Sequence, residues 1–400
     1  MAQISQKATV MPASAIRKLV PLADAAKKEG TKVYHLNIGQ PDIDSPDCAL
    51  NAVKNNTLTH ISYCNSAGLP ELRNGLAEKY YKKIGIDIDP SELIVTVAGS
   101  ESVLLALEVT CDEGDEVIVL EPFYTNYNTF AYMNGITLKA IPTDIRNGFA
   151  VPSIDEFEKA ITDKTKAILI CNPGNPSGTL YSKENMLALG EIAKKHDLFF
   201  ISDEVYREFV YSDEPHFSAM HIPGLEQNVI LVDSVSKRYN LCGARVGCIV
   251  SHNKEVMAAA MKYAQARLCP PILGQIAAIG ALDTPDAIGW LSNIPRITTE
   301  TSMRLSNPAT SIPTSTVPER FPIRRWLLPK RITGWLPWKR LSSSSVRRCR
   351  CDSMSSAGNA RFVGRTLVDV HRSFAMLRMT QRLGIMFLSR IGTRIPCGAA

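Results

Sequence analysis

Residues 229–250, VILVDSVSKRYNLCGARVGCIV, give the clearest indication of the fold. Apolar runs at Val229–Asp233 and Val246–Val250 predict two strands, and near-continuous runs of this kind are typical of a parallel sheet covered on both faces. Such sheets bind ligands at the carboxyl ends of their strands. Lys237 follows the first run, and partial burial or a nearby cation there would free its amine to attack a carbonyl. Alone, the segment is better explained as a solvated Lys-Arg pair on a loop.

Short apolar strands alternate with helical stretches from about residue 90 to 250. The other predicted strands are Leu93–Val97, Glu116–Leu120, Lys166–Cys171 and Leu198–Ser202; the predicted helices are Met11–Lys28, residues 69–83, Glu101–Thr110, Ser182–Lys195 and Lys254–Leu268. This alternation predicts an α/β fold with a mostly parallel sheet sandwiched by helices. At 400 residues and 44.0 kDa, we expect a large domain and a smaller one.

Two further polar segments follow predicted strands. NPGNPSG contains Asn175 and comes after Lys166–Cys171, and DEVY contains Asp203 and Tyr206 and comes after the next strand. Singly, they fit a turn cluster and an acidic helix start. In this order and at this spacing, they predict that these side chains meet Lys237 along one edge of the sheet.

A third segment, AGSE at residues 98–101, joins a strand to a helix. A simple N-cap by Ser100 is one interpretation. Free backbone N–H groups at a helix start also bind anions, and the guanidinium of Arg245 could clamp a phosphate. Together the segments predict a phosphate-binding site.

The composition excludes several other classes of protein. The first residues have no apolar core typical of a secretion signal, and no run approaches the roughly 20 apolar residues of a membrane span, so we expect a cytoplasmic protein with no membrane partner. Ten cysteines do not make a disulfide scaffold, and the spacing of Cys349 and Cys351 is wrong for a zinc motif. We expect no metal.

The sequence changes character near its last hundred residues. Residues 301–400 hold 18 of the 45 Lys and Arg residues and 3 of the 39 Asp and Glu residues, which gives +15 there against −9 for residues 1–300. Sixteen of those 18 basic residues are Arg, and the segment has no Tyr. An out-of-frame translation accounts for these features together, and we expect a disordered tail.

Taken together, the segments resemble the class I/II pyridoxal-phosphate (PLP) aminotransferases, and most closely the branch similar to bacterial aspartate aminotransferases. NIGQPD, YCNSAGLPELR, AGSE, NPGNPSG, DEVY and SVSKRYNLCGARVG occur in family order between about residues 11 and 285. The resemblance implies the PLP-dependent transferase type I fold. It also implies an N-terminal piece of the small domain at residues 1–45, a PLP-binding domain at 46–286 and a basic, non-family region at 287–400.

The resemblance assigns roles residue by residue. Lys237 is implied as the Schiff-base lysine and general base, Asp203 as the partner of the pyridine nitrogen, and Tyr206 as a donor to the ring hydroxyl. The other implied cofactor contacts are Asn175 at the ring hydroxyl, Tyr124 stacked on the ring, and Ser234, Arg245 and the backbone of Gly99, Ser100 and Glu101 at the phosphate; Gly39 is implied near the substrate carboxylate. Tyr63 matches a tyrosine that reaches the neighbouring subunit's phosphate, which implies a homodimer.

The implied reaction is transamination of an amino acid to a 2-oxo acid. A carboxylate at the ring nitrogen keeps that nitrogen protonated, so that the ring withdraws electrons from the substrate α-carbon. One family element has no counterpart after residue 286, namely the arginine that binds the substrate α-carboxylate.

Three alternatives stay open at this stage. The cofactor residues also serve β-eliminating lyases, the altered tail could leave a catalytically impaired protein, and the basic tail could be a nucleic-acid arm. The last is disfavoured because no helix-turn-helix segment accompanies it, so that only nonspecific phosphate contacts are expected.

Overall fold

The computed structural model describes residues 2–14, 16–35, 39–41 and 44–282. Its strands are β1 Leu93–Thr96, β2 Glu116–Glu121, β3 Thr137–Pro142, β4 Thr165–Cys171, β5 Phe199–Asp203, β6 Val229–Ser234 and β7 Gly247–Val250. Its α-helices are α1 Gln6–Val10, α2 Val20–Lys28, α3 Asp47–Lys54, α4 Pro70–Gly75, α5 Ala98–Thr110, α6 Asn126–Asn134, α7 Ile154–Ala160, α8 Lys183–Lys195, α9 Val235–Arg238, α10 Lys254–Arg267 and α11 Ile272–Leu282. A π-helical turn spans Leu76–Tyr81, and 3-10 turns span Arg17–Leu19, Lys82–Ile84, Pro90–Glu92, Ile145–Asn147, Ala219–His221 and Cys242–Ala244. The predicted region 287–400 lies outside the described residues.

The seven strands form one mostly parallel sheet in the order β1-β7-β6-β5-β4-β2-β3. The predicted α/β fold is therefore confirmed. Strand β7 differs, because it pairs antiparallel with both β6 and β1. In that pairing Gly247 lies opposite both Ser234 and Thr96. One edge of the sheet therefore holds the carboxyl ends of β1, β4, β5 and β6 together with the start of β7.

All six predicted strands are found within one residue of their expected limits. The sequence prediction missed β3, Thr137–Pro142, which forms the sheet edge beside β2. Only Ile141 of this strand is buried, so the segment has no continuous apolar run to mark it.

The predicted helix Met11–Lys28 is wrong in its first third, before Arg17. Met11, the C-cap of α1, precedes Pro12 and leaves the helical conformation, with a ψ of 125°, because proline disfavours that conformation in the residue before it. Helical structure resumes at Arg17, and Pro21 sits in the first turn of α2, where its missing N–H costs nothing.

Apolar side chains cover both faces of the sheet, and alternation along β1 shows how they divide. Ile94 joins the layer formed by α5, α6 and α10, whereas Leu93 and Val95 face α4 and α11. The predicted apolar stripe of residues 69–83 is buried on this second face, where Leu72, Leu76 and Tyr80 are at most 1% exposed. Within the described part of the chain, no helix is long and apolar enough to cross a membrane.

Candidate active site

Lys237 lies on α9, directly after the buried strand β6. Its Nζ donates a hydrogen bond of 2.5 Å to the backbone oxygen of Gly39 and lies 3.9 Å from Cys242 Sγ. It also lies 5.8 Å from the centre of the Tyr206 ring. The amine therefore reaches from the sheet edge to the N-terminal loop at residues 39–41. Two predicted site residues, Gly39 and Tyr206, lie beside it there.

Asp203 is the last residue of β5 and is 5% exposed. Its Oδ2 accepts a hydrogen bond of 2.7 Å from the Tyr127 hydroxyl, and its Oδ1 accepts one of 3.3 Å from the Val205 N–H. Burial raises the pKa of this carboxyl to about 6, although both hydrogen bonds oppose the rise. At neutral pH the group is mostly a carboxylate, and each oxygen keeps a lone pair for a further donor.

Asn175 and Tyr206 come together as predicted, with Asn175 Nδ2 3.5 Å from the Tyr206 hydroxyl. Burial raises the pKa of the Tyr206 hydroxyl, which therefore stays protonated. A Cβ added to Gly39 would lie 3.3 Å from the same hydroxyl, so this loop passes close over Tyr206. Both side chains can donate hydrogen bonds to one acceptor.

The segment AGSE forms the start of α5 beside the end of β6. Helix α5 begins at Ala98, three residues before the predicted start at Glu101, and its N-cap is Val97, which has no capping side chain. The interpretation of Ser100 as N-cap is therefore wrong. The first N–H groups of a helix have no partner within it and carry its positive end, which is the arrangement that binds anions.

The start of α5 packs tightly against the end of the lysine loop, residues 235–246, which joins β6 to β7. A Cβ added at Gly247 would lie 2.5 Å from Ala98 C and 2.7 Å from Gly99 N, so only glycine allows the contact. Ser234 lies beside Gly99 and caps α9, because its Oγ accepts a hydrogen bond of 3.0 Å from Ser236 N. That hydroxyl also lies 3.0 Å from the Val246 oxygen.

Tyr124 and Arg245 lie around the same helix start. Burial raises the pKa of Tyr124, while a hydrogen bond with Ser100 and the positive charge of Arg245 lower it. Arg245 is exposed, with its Nη1 3.0 Å from the Cys242 oxygen, and its φ of 56° is left-handed. An exposed guanidinium beside free helix N–H groups suits a phosphate.

Two predicted residues have other surroundings. The Glu101 side chain makes an ion pair of 2.9 Å with Arg267 and accepts a hydrogen bond from the Val97 N–H, so its carboxylate braces the start of α5. Tyr63 is 82% exposed on the loop before α4.

The sequence prediction missed a cluster of buried charges behind Lys237. Arg238 is 1% exposed, so the alternative of a solvated Lys-Arg pair is wrong for this residue. Its guanidinium lies 2.6 Å from an Asp233 oxygen, 2.7 Å from a Glu208 oxygen and 3.6 Å from the centre of the Tyr80 ring. The cluster also includes Glu204, Arg207 and Tyr81. Arg238, the residue next to Lys237, is therefore held by ion pairs with both Asp233 and Glu208.

Tyr127 was also missed, although it holds Asp203 directly. It is a buried aromatic in the middle of an aromatic stretch, and its sequence context does not separate it from Phe123 or Tyr132. No cluster of three metal-ligating side chains occurs among residues 2–14, 16–35, 39–41 and 44–282.

Comparison with known proteins agrees with this arrangement. The sequence model of the family aminotransferase class I and II matches residues 31–313. Aspartate/prephenate aminotransferase of Thermus thermophilus is 31% identical over 288 residues, which are 72% of this chain and 74% of that protein. Aspartate aminotransferase of Pyrococcus abyssi is 33% identical over 283 residues, covering 70% and 71%. The crystal structure of aspartate aminotransferase from Thermotoga maritima superposes with a TM-score of 0.68 at 31% identity, covering 72% of this chain and 76% of that one.

The chain belongs to the aminotransferase class I and II family. Enzymes of this family use pyridoxal 5′-phosphate as cofactor and act on amino acids and 2-oxo acids. The residues at the sheet edge fit that cofactor: a buried carboxylate for a ring nitrogen, two hydroxyl or amide donors, a lysine amine, and a free helix start with an arginine for the phosphate.

Proposed function

We propose that this chain catalyses transamination of aspartate or a related amino acid to its 2-oxo acid, with Lys237 as the residue that carries the cofactor. The observation that carries the proposal is the meeting of Lys237, Gly39 and Tyr206 at the sheet edge, within a few ångströms of Asn175. Aspartate is favoured because relatives at 31–33% identity are named for it.

When bound, PLP supplies an electron sink for the substrate α-carbon. We assign Asp203 to the ring nitrogen, where a buried carboxylate keeps a proton on that nitrogen. Tyr206 and Asn175 would donate to the ring hydroxyl, and Tyr124 would stack on the ring.

The phosphate would lie at the start of α5. Its proposed contacts are the N–H groups of Gly99, Ser100 and Glu101, together with Ser234 and Arg245. Because this end of the helix is positive, it would stabilise the phosphate dianion.

The Lys237 amine, once free, is the proposed general base that moves a proton from the substrate α-carbon. Gly39 is proposed to lie near the substrate carboxylate, because its backbone oxygen already contacts the Lys237 amine. A base must come within hydrogen-bond reach of the proton that it removes, so the substrate α-carbon is proposed to lie beside the Gly39 oxygen that the amine contacts.

Borohydride reduction tests the lysine assignment. Protein purified with PLP should absorb as a yellow adduct, and reduction followed by peptide mapping should find the cofactor on Lys237. Lys237→Ala should lose this absorbance, while Lys262→Ala, which alters an exposed lysine on α10, should keep it. Cofactor mapped to another lysine would refute the assignment.

Steady-state assays separate the remaining candidates. Aspartate with 2-oxoglutarate should give oxaloacetate, whereas a β-lyase would release ammonia from a substrate with a β-leaving group. Full cofactor binding with no turnover of either kind would favour the catalytically impaired variant, for which the basic composition of residues 301–400 is the motivating observation.

We further propose a homodimer in which Tyr63 reaches the partner's phosphate site. Its 82% exposure in the single chain leaves the Tyr63 hydroxyl accessible to a partner subunit, as this proposal requires. Mixing Tyr63→Phe, weakened by the loss of one phosphate hydrogen bond, with inactive Lys237→Ala should raise activity above that of either protein alone, since one of the two sites in a mixed dimer carries neither change. Unmixed proteins are the control, and no recovery after exchange would contradict the shared site.

A further inference from the structure

Asp203 is held from two sides by different elements. Tyr127 on α6 donates to Oδ2, and the backbone of Val205, beyond β5, donates to Oδ1. Two donors on opposite oxygens fix the plane of a carboxylate, because rotating it would break both hydrogen bonds. The hydrogen bond from Val205 is 3.3 Å long and comes from the backbone, so a side-chain substitution does not remove it. The hydrogen bond from Tyr127 is shorter, at 2.7 Å, and comes from a side chain that can be replaced.

Tyr127 is itself fixed by packing. It is 1% exposed, and its ring packs edge to face on Tyr124 with centres 5.5 Å apart. The Phe123 ring is nearly parallel to the Tyr127 ring, with centres 6.2 Å apart. The backbone N–H of Tyr127 donates a hydrogen bond of 2.9 Å to the Tyr124 carbonyl oxygen. The same side chain thus contacts the carboxylate assigned to the ring nitrogen and the aromatic residue assigned to the ring face.

We propose that Tyr127 is a positioning residue for Asp203. Its hydroxyl fixes the orientation of the Asp203 carboxylate and favours the charged form, and its ring connects that carboxylate to Tyr124. This inference rests on the proposed function, in which Asp203 serves the ring nitrogen. The hydroxyl at 2.7 Å donates to the charged form of Asp203, and hydrogen bonds to charged groups are the strong ones.

The surroundings of Asp203 otherwise favour its neutral form. The titratable groups that face it are Tyr124 and Tyr127 from the β2–α6 region, Cys171 at the end of β4, Glu204 and Tyr206 after β5, and Asp233 on β6. Burial, Asp233 and Glu204 all raise the pKa of Asp203, while Tyr127 and the Val205 N–H lower it. Without the Tyr127 hydroxyl, a larger fraction of Asp203 would be protonated at neutral pH.

Tyr127→Phe isolates this effect, since it removes one oxygen and keeps the ring packing. In cofactor-free protein with carbon-13 in the aspartate carboxyls, the Asp203 resonance is the one that Asp203→Asn abolishes. We expect a wild-type midpoint near pH 6 and an upward shift of about one unit in Tyr127→Phe. Tyr132→Phe is the matched control, because it removes a hydroxyl from the same helix that donates instead to the Lys7 oxygen.

The loaded enzyme gives a second measurement. Tyr127→Phe should move the acid limb of the pH–rate profile upward and recover most of its activity above pH 8, whereas a general loss of structure would lower activity at every pH. Tyr127→Met, which fills the space without a donor, should shift the Asp203 midpoint in the same direction. An unmoved Asp203 midpoint in both variants would overturn the inference and leave the cofactor assignment standing. A wild-type protein that fails to bind PLP would instead overturn the proposed function.

Discussion

Asp203→Asn should stabilise the cofactor-free protein at neutral pH while abolishing turnover. The folded protein raises the pKa of Asp203 from 3.8 to about 6, so it binds this proton more tightly than the unfolded chain does. The free energy of unfolding therefore falls as the pH rises between these two values, by about 3 kcal/mol in all. An amide carries no charge to bury and keeps an oxygen for Tyr127, although its NH₂ group loses the contact with the Val205 N–H. A net gain of about 1–3 kcal/mol above pH 7 follows.

Urea unfolding of cofactor-free protein at several pH values between 4 and 8 measures this effect. The stability difference between Asp203→Asn and wild type should grow with pH and level off above pH 7. Asp163→Asn, an exposed change in a turn, should leave the pH dependence as it is. A variant that is less stable than wild type at pH 8, or a difference independent of pH, would refute the reasoning. Turnover should fall far more than PLP affinity, because the proposed phosphate contacts lie elsewhere.

Two further substitutions test the architecture of the site. Gly247→Ala places a methyl group within 2.7 Å of Ala98 C and Gly99 N, and overpacking of this kind costs about 1–3 kcal/mol. Both the PLP affinity and the urea midpoint should therefore fall. Gly243→Ala is the control and should change neither, because an added Cβ there has no heavy atom within 4 Å. Arg238→Met leaves the buried Asp233 carboxylate without its closest partner and should cost about 3–5 kcal/mol in urea unfolding, whereas Arg146→Met at an exposed ion pair should leave the midpoint unchanged.

Sequence predicted the parts of the site that local pattern encodes. Lys237, Asp203 and Asn175 each follow a continuous apolar strand, and the common direction of β4, β5 and β6 brings them to one edge. The direction of β7 could not be predicted in the same way, because an apolar run looks alike in parallel and antiparallel strands.

The supporting residues were harder to predict for a different reason. Arg238 and Tyr127 act through contacts with residues 5 and 76 positions away. A basic residue after a lysine and a tyrosine in an aromatic stretch carry no local sign of burial. Only the assembled sheet shows that one lies in a cluster of charges and the other on a carboxylate.

The antiparallel return of β7 makes the lysine loop a local folding unit. Ser234 and Gly247, which close it, are paired across a short stretch of chain, whereas Asp203 pairs with Val232 only after a crossover of about twice that length. The entropy lost in closing a loop grows with its length, and local contacts form faster than distant ones. The β6–β7 pairing can therefore form before the parallel strands join it. The segment that carries the reactive amine would then act as an early template on which the rest of the sheet assembles.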